Sequence, residues 1–371
     1  MKEKDSDENL DESSPRSTRR DVRSRRVNAM EMWKRGTIDD RPVKERWSRE
    51  FKRPKVKKIK DPAGNFEAGD SIEGLVLEVH RRTCVVRLAS GEKVNATYRP
   101  AVVFELGEFP VVGDRVVIAR ASDAEDALPY SLLSVQPRRS VLVRPGPKDK
   151  SRRELVLASN VDQVVVVSSA AEPPFNYGFA DRFLLAANLC DLPLVMVLNK
   201  VDLLPEIPEG VRDFMSIVDK FISVSCKSGK GFDELKEVLK GKSSVLSGKS
   251  GVGKSSLVNT LVPEADLAVG NVRELDGKGR HTTTSSCLFD LPFGGSIIDT
   301  PGIRELGIMK MDERDLARSF PGFFPDGLFT CKYNDCTHCG EPGCAVEAGV
   351  NEGRIPKARY ASYRRILEFK E

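Results

Sequence analysis

"VMVLNKVDLL" (residues 195–204) and "GKSGVGKSS" (residues 248–256) decide the fold by the order in which they occur. The first reads as a buried strand running into Asn199-Lys200-Val201-Asp202. A carboxylate at Asp202 accepts from both the ring N–H and the exocyclic amine of guanine. Adenine offers no such pair, and the mismatch would leave a charge unsatisfied. Asn199 either reaches the base or braces a neighbouring loop, and the Lys200 stem can cover the ring. The second stretch matches G-x-x-x-x-G-K-[ST] over Gly248, Lys249, Ser250, Gly251, Val252, Gly253, Lys254 and Ser255, between a strand-like "SSVLSG" and a helix-like "SSLVNTLV". Its glycines let backbone N–H groups turn around phosphate oxygens, and the helix N-terminus adds a favourable dipole. Lys254 is placed to reach the β- and γ-phosphates, Ser255 to ligate Mg²⁺, and Ser256 to follow as a further nucleotide contact.

Other elements fit around these two. "SVSCKSGKG" (223–231) supplies a second base loop at Ser225-Cys226-Lys227, in which the Cys226 backbone N–H is expected to donate to the guanine oxygen. "IIDTPG" (297–302) ends a strand with Asp299, a Mg²⁺ ligand, and Gly302, whose N–H is expected at the γ-phosphate. When that phosphate leaves, both attachments vanish and the loop can relax. The next residue is Ile303, an apolar side chain that cannot polarise water. His281 in "GRHTTTSS" (279–286) is the nearest candidate to orient the attacking water. One of Thr282, Thr283 and Thr284, taken as Thr283, is expected on Mg²⁺.

The order is therefore base reader, second base loop, phosphate loop, first switch, second switch. An ordinary GTPase begins with the phosphate loop. Joining the ends of such a domain and reopening it ahead of the base-reading half gives this order with every contact kept, because domain termini often lie close together. The reading is a circularly permuted GTPase domain over residues 150–310, with buried strands in a largely parallel sheet covered by helices.

Upstream, "SIEGLVLEVH", "TCVVRLA", "EKVNATY", "GDRVVIA" and "YSLLSVQ" are short and β-branched, with turn signals between them. They point to a small five-stranded barrel over residues 66–140. An OB-fold fits, and the pattern alone does not separate it from an SH3-like barrel. Downstream, Cys331-x4-Cys336-x-His338-x5-Cys344 offers three thiolates and an imidazole for a closed, structural zinc site in a module over residues 311–371, with Cys339 spare. That module ends in the helix-like "PKARYASYRRILEFK". The fold class is multidomain α/β: barrel, permuted domain, zinc-binding α-helical module.

Charge is unevenly placed. The chain carries a net +4, yet Arg16–Lys60 has 18 Lys/Arg against 6 Asp/Glu. Such a segment repels itself, so residues 1–65 read as a disordered basic arm, with one short helix around Val43–Phe51 and a capacity to bind polyanions. No apolar run approaches a membrane span, and the acidic N-terminus lacks a signal-peptide core. A cytoplasmic monomer without a membrane partner is the expectation.

Taken together, Asn199-Lys200-Val201-Asp202, the 248–255 loop, "GRHTTT", "DTPG" and the cysteine–histidine spacing resemble the ribosome small subunit-dependent GTPase A family (RsgA/YjeQ). The resemblance covers about residues 70–371 and implies an OB-fold. It implies a GTP hydrolase that assists late maturation of the small ribosomal subunit, binds its rRNA through barrel and zinc module, and turns over faster there than alone. It also implies a hydrophobic residue in place of the catalytic glutamine, as Ile303 is, with Mg²⁺ and one structural Zn²⁺ as cofactors. A rival is a nucleotide-gated RNA-binding module whose hydrolysis is incidental. An RNA-modifying enzyme finds no acid–base or nucleophile constellation. The basic arm has no counterpart in the resemblance.

Overall fold

The computed structural model describes residues 71–98, 100–120, 130–145, 154–265, 286–299, 312–324 and 330–368. The basic arm, its short helix, His281, Thr282–Thr284, Gly302 and Ile303 lie outside those residues. Among the described residues, no helix is long and apolar enough to cross a membrane.

The five barrel strands fall where alternation put them: β1 (Ile72–Val79), β2 (Thr83–Leu88), β3 (Lys93–Tyr98), β4 (Arg115–Arg120) and β5 (Tyr130–Val135). Helix α1 (Pro100–Leu106), which the sequence reading did not contain, connects β3 to β4. β1 pairs with β2 and β4, β2 with β3, β4 with β5, and β3 runs parallel to β5, which closes an OB-like barrel. Period-2 alternation sends Val76, Cys84, Val86, Val94, Ala96, Val116, Ile118 and Leu132 into one core. The opposite face of β1 is also apolar. Leu75 and Leu77 enter a different core, shared with Val245, Leu288 and Ile298 of the following domain.

A hairpin, β6 (Val141–Pro145) and β7 (Glu154–Ser159), leads out of the barrel. The junction is fastened by buried polar groups. The Arg138 guanidinium donates to both Asp114 oxygens (2.7 and 2.9 Å) and to Glu108, while the Ser159 hydroxyl donates to Asp114 Oδ1 at 2.6 Å. Gly113 is required there. Its φ is +90°, and a Cβ would meet the Ser159 carbonyl oxygen at 2.2 Å.

The second domain contributes β8 (Gln163–Ser169), β9 (Leu194–Asn199), β10 (Lys220–Ser223), β11 (Ser243–Gly248), β12 (Cys287–Asp290) and β13 (Ser296–Asp299). Every residue of β8 and β9 is buried, which accounts for the apolar runs at 164–167 and 194–198 within them. In space the strands lie β10-β9-β8-β11-β13-β12, all neighbours parallel except antiparallel β12–β13. Counted from the phosphate-loop strand β11, that layout reads 2-3-1-4-5-6 from β12 to β10. Helices α2 (Tyr177–Leu189), α3 (Glu209–Arg212), α4 (Phe232–Leu239) and α5 (Lys254–Leu261) belong to this domain. The Asn176 side chain caps α2 by accepting from Phe179 N at 2.8 Å.

The C-terminal part contains α6 (Glu313–Ser319), α7 (Ala345–Asn351) and α8 (Lys357–Glu368). It packs on α2 through Leu185 and Leu189, against Phe320, Tyr363 and Ile366. Arg359 of α8 donates to Asp181 of α2 through Nε (3.1 Å) and Nη2 (2.8 Å), both side chains being buried. Burial pushes the Asp181 carboxyl up against the pull of Arg359. Removing one partner of such a pair costs about 3–5 kcal/mol, because the other is left buried and uncompensated.

Candidate nucleotide site and metal centre

The chain leaves β11 at Gly248, turns through Gly251 (φ +82°) and Gly253 (φ +91°), and enters α5 at Lys254. A Cβ on Gly253 would sit 2.2 Å from Asn199 Nδ2, so the last glycine of the loop makes room for the base-reading segment. Asn199 is itself buried. Its Nδ2 donates to the Val252 carbonyl at 3.0 Å, and its Oδ1 accepts from Cys226 N at 3.3 Å. One side chain thus ties together both base-reading segments and the phosphate loop. Of the two roles open to Asn199 in the sequence, the structure displays the brace. The Cys226 N–H, expected at the guanine oxygen, is held here by Asn199.

Lys200 takes a left-handed backbone (φ 62°) and its ammonium donates to the Glu172 carbonyl. Asp202 lies in a short 3₁₀ turn after β9 and accepts from the Ser225 hydroxyl at 2.6 Å. The same hydroxyl accepts from Ser228 N at 3.1 Å, which leaves its proton for Asp202. That bond is the first reason the Asp202 carboxyl is lowered below the usual carboxylate range, with smaller help from Lys227 and Lys200. Lys249, Ser250 and Lys227 are exposed, while Ser255 and Ser256 at the start of α5 are half-buried.

Asp299 ends β13 beside the loop, and its Oδ1 lies 2.9 Å from Lys254 Nζ. Lys254, Ser255 and Asp299 therefore converge where a triphosphate and its cation would sit. A hydroxyl and a carboxylate are hard oxygen donors of the kind Mg²⁺ takes. The sequence reading missed the segment after β8. Ser169 donates to the Glu172 carbonyl at 3.2 Å, and a Cβ on Gly251 would meet Pro173 Cδ at 3.5 Å, so this segment walls the loop. No residue pattern in it announces a nucleotide.

The predicted metal ligands come together. One donor atom from each of Cys331, Cys336, His338 and Cys344, all buried, lies within 4.8 Å of the others. His338 Nδ1 is 3.5, 3.4 and 3.4 Å from the three sulfurs. For ordinary zinc bond lengths in a tetrahedron the N···S edge is about 3.6 Å, so the set fits Zn²⁺. His338 Nε2 is 3.2 Å from the Ala317 carbonyl, which can only accept. The proton is therefore on Nε2 and the Nδ1 lone pair faces the sulfurs. Burial pushes the Cys336 and Cys344 thiols up, so a bound cation is what would keep those two as thiolates. Cys339 is exposed and stands outside the cluster. Tyr360 and Tyr363 of α8 clasp the knuckle, donating to the carbonyls of His338 (2.7 Å) and Thr337 (2.6 Å).

The strand layout, the phosphate loop and the base-reading segments braced to it define a circularly permuted GTPase with an OB-like barrel ahead of it and a Cys₃His cluster behind. The family model for the RsgA GTPase matches residues 135–309. A Chlorobaculum parvum protein named "Small ribosomal subunit biogenesis GTPase RsgA" is 38% identical over 309 residues, 81% of this chain and 98% of that protein. Its namesake from Shewanella oneidensis is 42% identical over 264 residues, 69% of this chain and 73% of that protein. Among solved structures, YjeQ from Thermotoga maritima aligns with a TM-score of 0.60 at 32% identity, covering 80% of this chain and 98% of its own. YloQ, described as a circularly permuted GTPase, aligns at 0.57 and 26%, covering 82% and 97%. The chain belongs to the RsgA GTPase family.

Proposed function

We propose that this chain hydrolyses GTP to GDP and phosphate as an assembly factor for the small ribosomal subunit, with turnover raised by the subunit. The observation that carries the reading is Asn199, which braces the guanine-reading turn directly to the phosphate loop. Asp202, oriented by Ser225, selects guanine, and Lys200 covers the base. Ser225, Cys226 and Lys227 close its far side. The backbone of residues 248–253 cradles the phosphates, and Lys254 leaves Asp299 to neutralise charge developing on the γ-phosphate. Mg²⁺, when bound with the nucleotide, would supply further positive charge against the phosphates. Ser255 and Asp299 are its donors, with Thr283 of the first switch. Gly302 contacts the γ-phosphate, and His281 positions the water. Barrel and zinc module hold rRNA, and Cys331, Cys336, His338 and Cys344 hold one structural Zn²⁺.

The test is GTP turnover by the full chain with and without purified small subunits, at low and high salt. Stimulation that weakens as salt rises supports the reading. Equal turnover with and without subunits removes it.

A further inference from the structure

The nucleotide domain is joined to its two neighbours in different ways. The C-terminal module sits on α2, through Leu185, Leu189 and the Asp181–Arg359 pair. A cleft of about 880 Å³, lined in part by Leu184, Leu194, Phe320 and Arg359, opens beside that contact, at the end of β9 away from Asn199. Apart from Val141 and Val143 of the β6–β7 hairpin, which share the module's core, these attachments touch the base-reading half.

The barrel instead adjoins the strands that carry the switches. β12 starts directly after the segment that the sequence assigns to the first switch, and β13 ends on Asp299 directly before the second. The outer edge of β12 meets β1, where Glu78 pairs with Cys287. Cys287 is also the partner of Asp299, and Asp299 of Leu246 in the phosphate-loop strand. Glu78, Cys287, Asp299 and Leu246 thus form one row across β1, β12, β13 and β11. At ordinary strand spacing the barrel backbone is about 10 Å from that of Asp299. The far end of β12 is gripped as well, since Arg87 of β2 forms an ion pair with Asp290. Beneath the row, Leu77 shares a core with Leu288 and Ile298, the residue before Asp299.

We propose that the barrel is the regulatory arm of this GTPase, and that the β1–β12 seam with its Arg87–Asp290 clamp carries force between a partner docked on the barrel and both switches. The proposal rests on the reading above for the identity of that partner. Chain order alone favours the C-terminal module, which follows the second switch. Packing favours the barrel, because it is the neighbour that shares strands and core with β12 and β13. Coupling between two binding sites is reciprocal. The nucleotide must therefore alter the barrel even when no partner is present.

The experiment uses the full chain loaded with GDP or with a non-hydrolysable GTP analogue, and reads amide hydrogen exchange. Exchange in residues 72–88 changes between the two nucleotides, and exchange in residues 357–368 does not. Asp290→Arg places two cations face to face and abolishes the difference in 72–88. The swap Arg87→Asp with Asp290→Arg restores it, which separates lost coupling from lost folding. With purified small subunits, Asp290→Arg lowers stimulated turnover by roughly 5-fold with basal turnover unchanged, and the swap recovers it. A barrel blind to the nucleotide, or a nucleotide response that persists in Asp290→Arg, overturns the relay. Absence of stimulation in the unmodified chain removes the ribosomal reading instead, and the exchange data still decide the relay.

Discussion

At the residue scale, the guanine-reading turn rests on a charge that must stay ionised. Asp202 presents two oxygens, one already taken by Ser225. Asp202→Asn replaces an acceptor with a donor facing two donors of the base, and GTP affinity falls by about 10²-fold or more, read by titration with a fluorescent guanine nucleotide. Ser225 also sets the pH response. A lowered carboxyl stays charged above its own pKa, so affinity is flat through neutral pH and is lost only as pH falls through that depressed value. In Ser225→Ala the pKa returns toward the ordinary range, and the acid loss of affinity begins at higher pH. Matching pH profiles for the two proteins would show that the 2.6 Å bond does not govern ionisation. The identity of this turn was legible because its chemistry is local to a tetrapeptide. The brace was not, since Val252 lies 53 positions from Asn199 and only the fold joins them.

At the element scale, the knuckle and its helix form one unit. Cys344 both faces His338 Nδ1 and caps α7, its sulfur accepting from Glu347 N at 3.4 Å. Cys344→Ser therefore empties the metal site and loosens α7 and α8 together. Cys339→Ser, at an exposed sulfur, keeps about one zinc per chain. Metal analysis with hydrogen exchange over residues 331–368 checks both, and zinc retained at full occupancy in Cys344→Ser would contradict the ligand set. The ligand spacing was readable because four side chains had to converge on one point. Three short elements were not. α1 has the strand-like composition "PAVVFEL", β12 is only "CLFD", and the turn-rich tract between β6 and β7 hid a hairpin. For β12, pairing with β13 and β1 supplies what four residues of local propensity lack.

At the scale of the whole molecule, permutation changes the order of the strands in the chain and not their order in the sheet. In that layout β12 is the outer strand of the nucleotide domain's own sheet, next to β13, which ends on Asp299. An exposed edge is a template for misassembly, and the barrel covers it with β1, extending the sheet to 11 strands. The seam is apolar as well as hydrogen-bonded. Leu75, Leu77 and Val112 reach into the core around Val245, Leu288 and Ile298, and burying a side chain of this size is worth about 1.5–3 kcal/mol. β1 is thus a structural strand of both domains, although in sequence it belongs wholly to the barrel. Its apolar residues at 75, 76 and 77 break strict alternation, and that was the one sign that both faces would be covered. Removing residues 1–140 strips this cover while leaving all the nucleotide residues in place. The shortened chain will unfold at lower urea concentration than the full one and self-associate through the bared β12 edge, as read by denaturant titration and sedimentation. A monomeric fragment with the urea midpoint of the full chain would mean that the barrel is merely tethered, and that the continuous sheet contributes nothing to holding the switch strands.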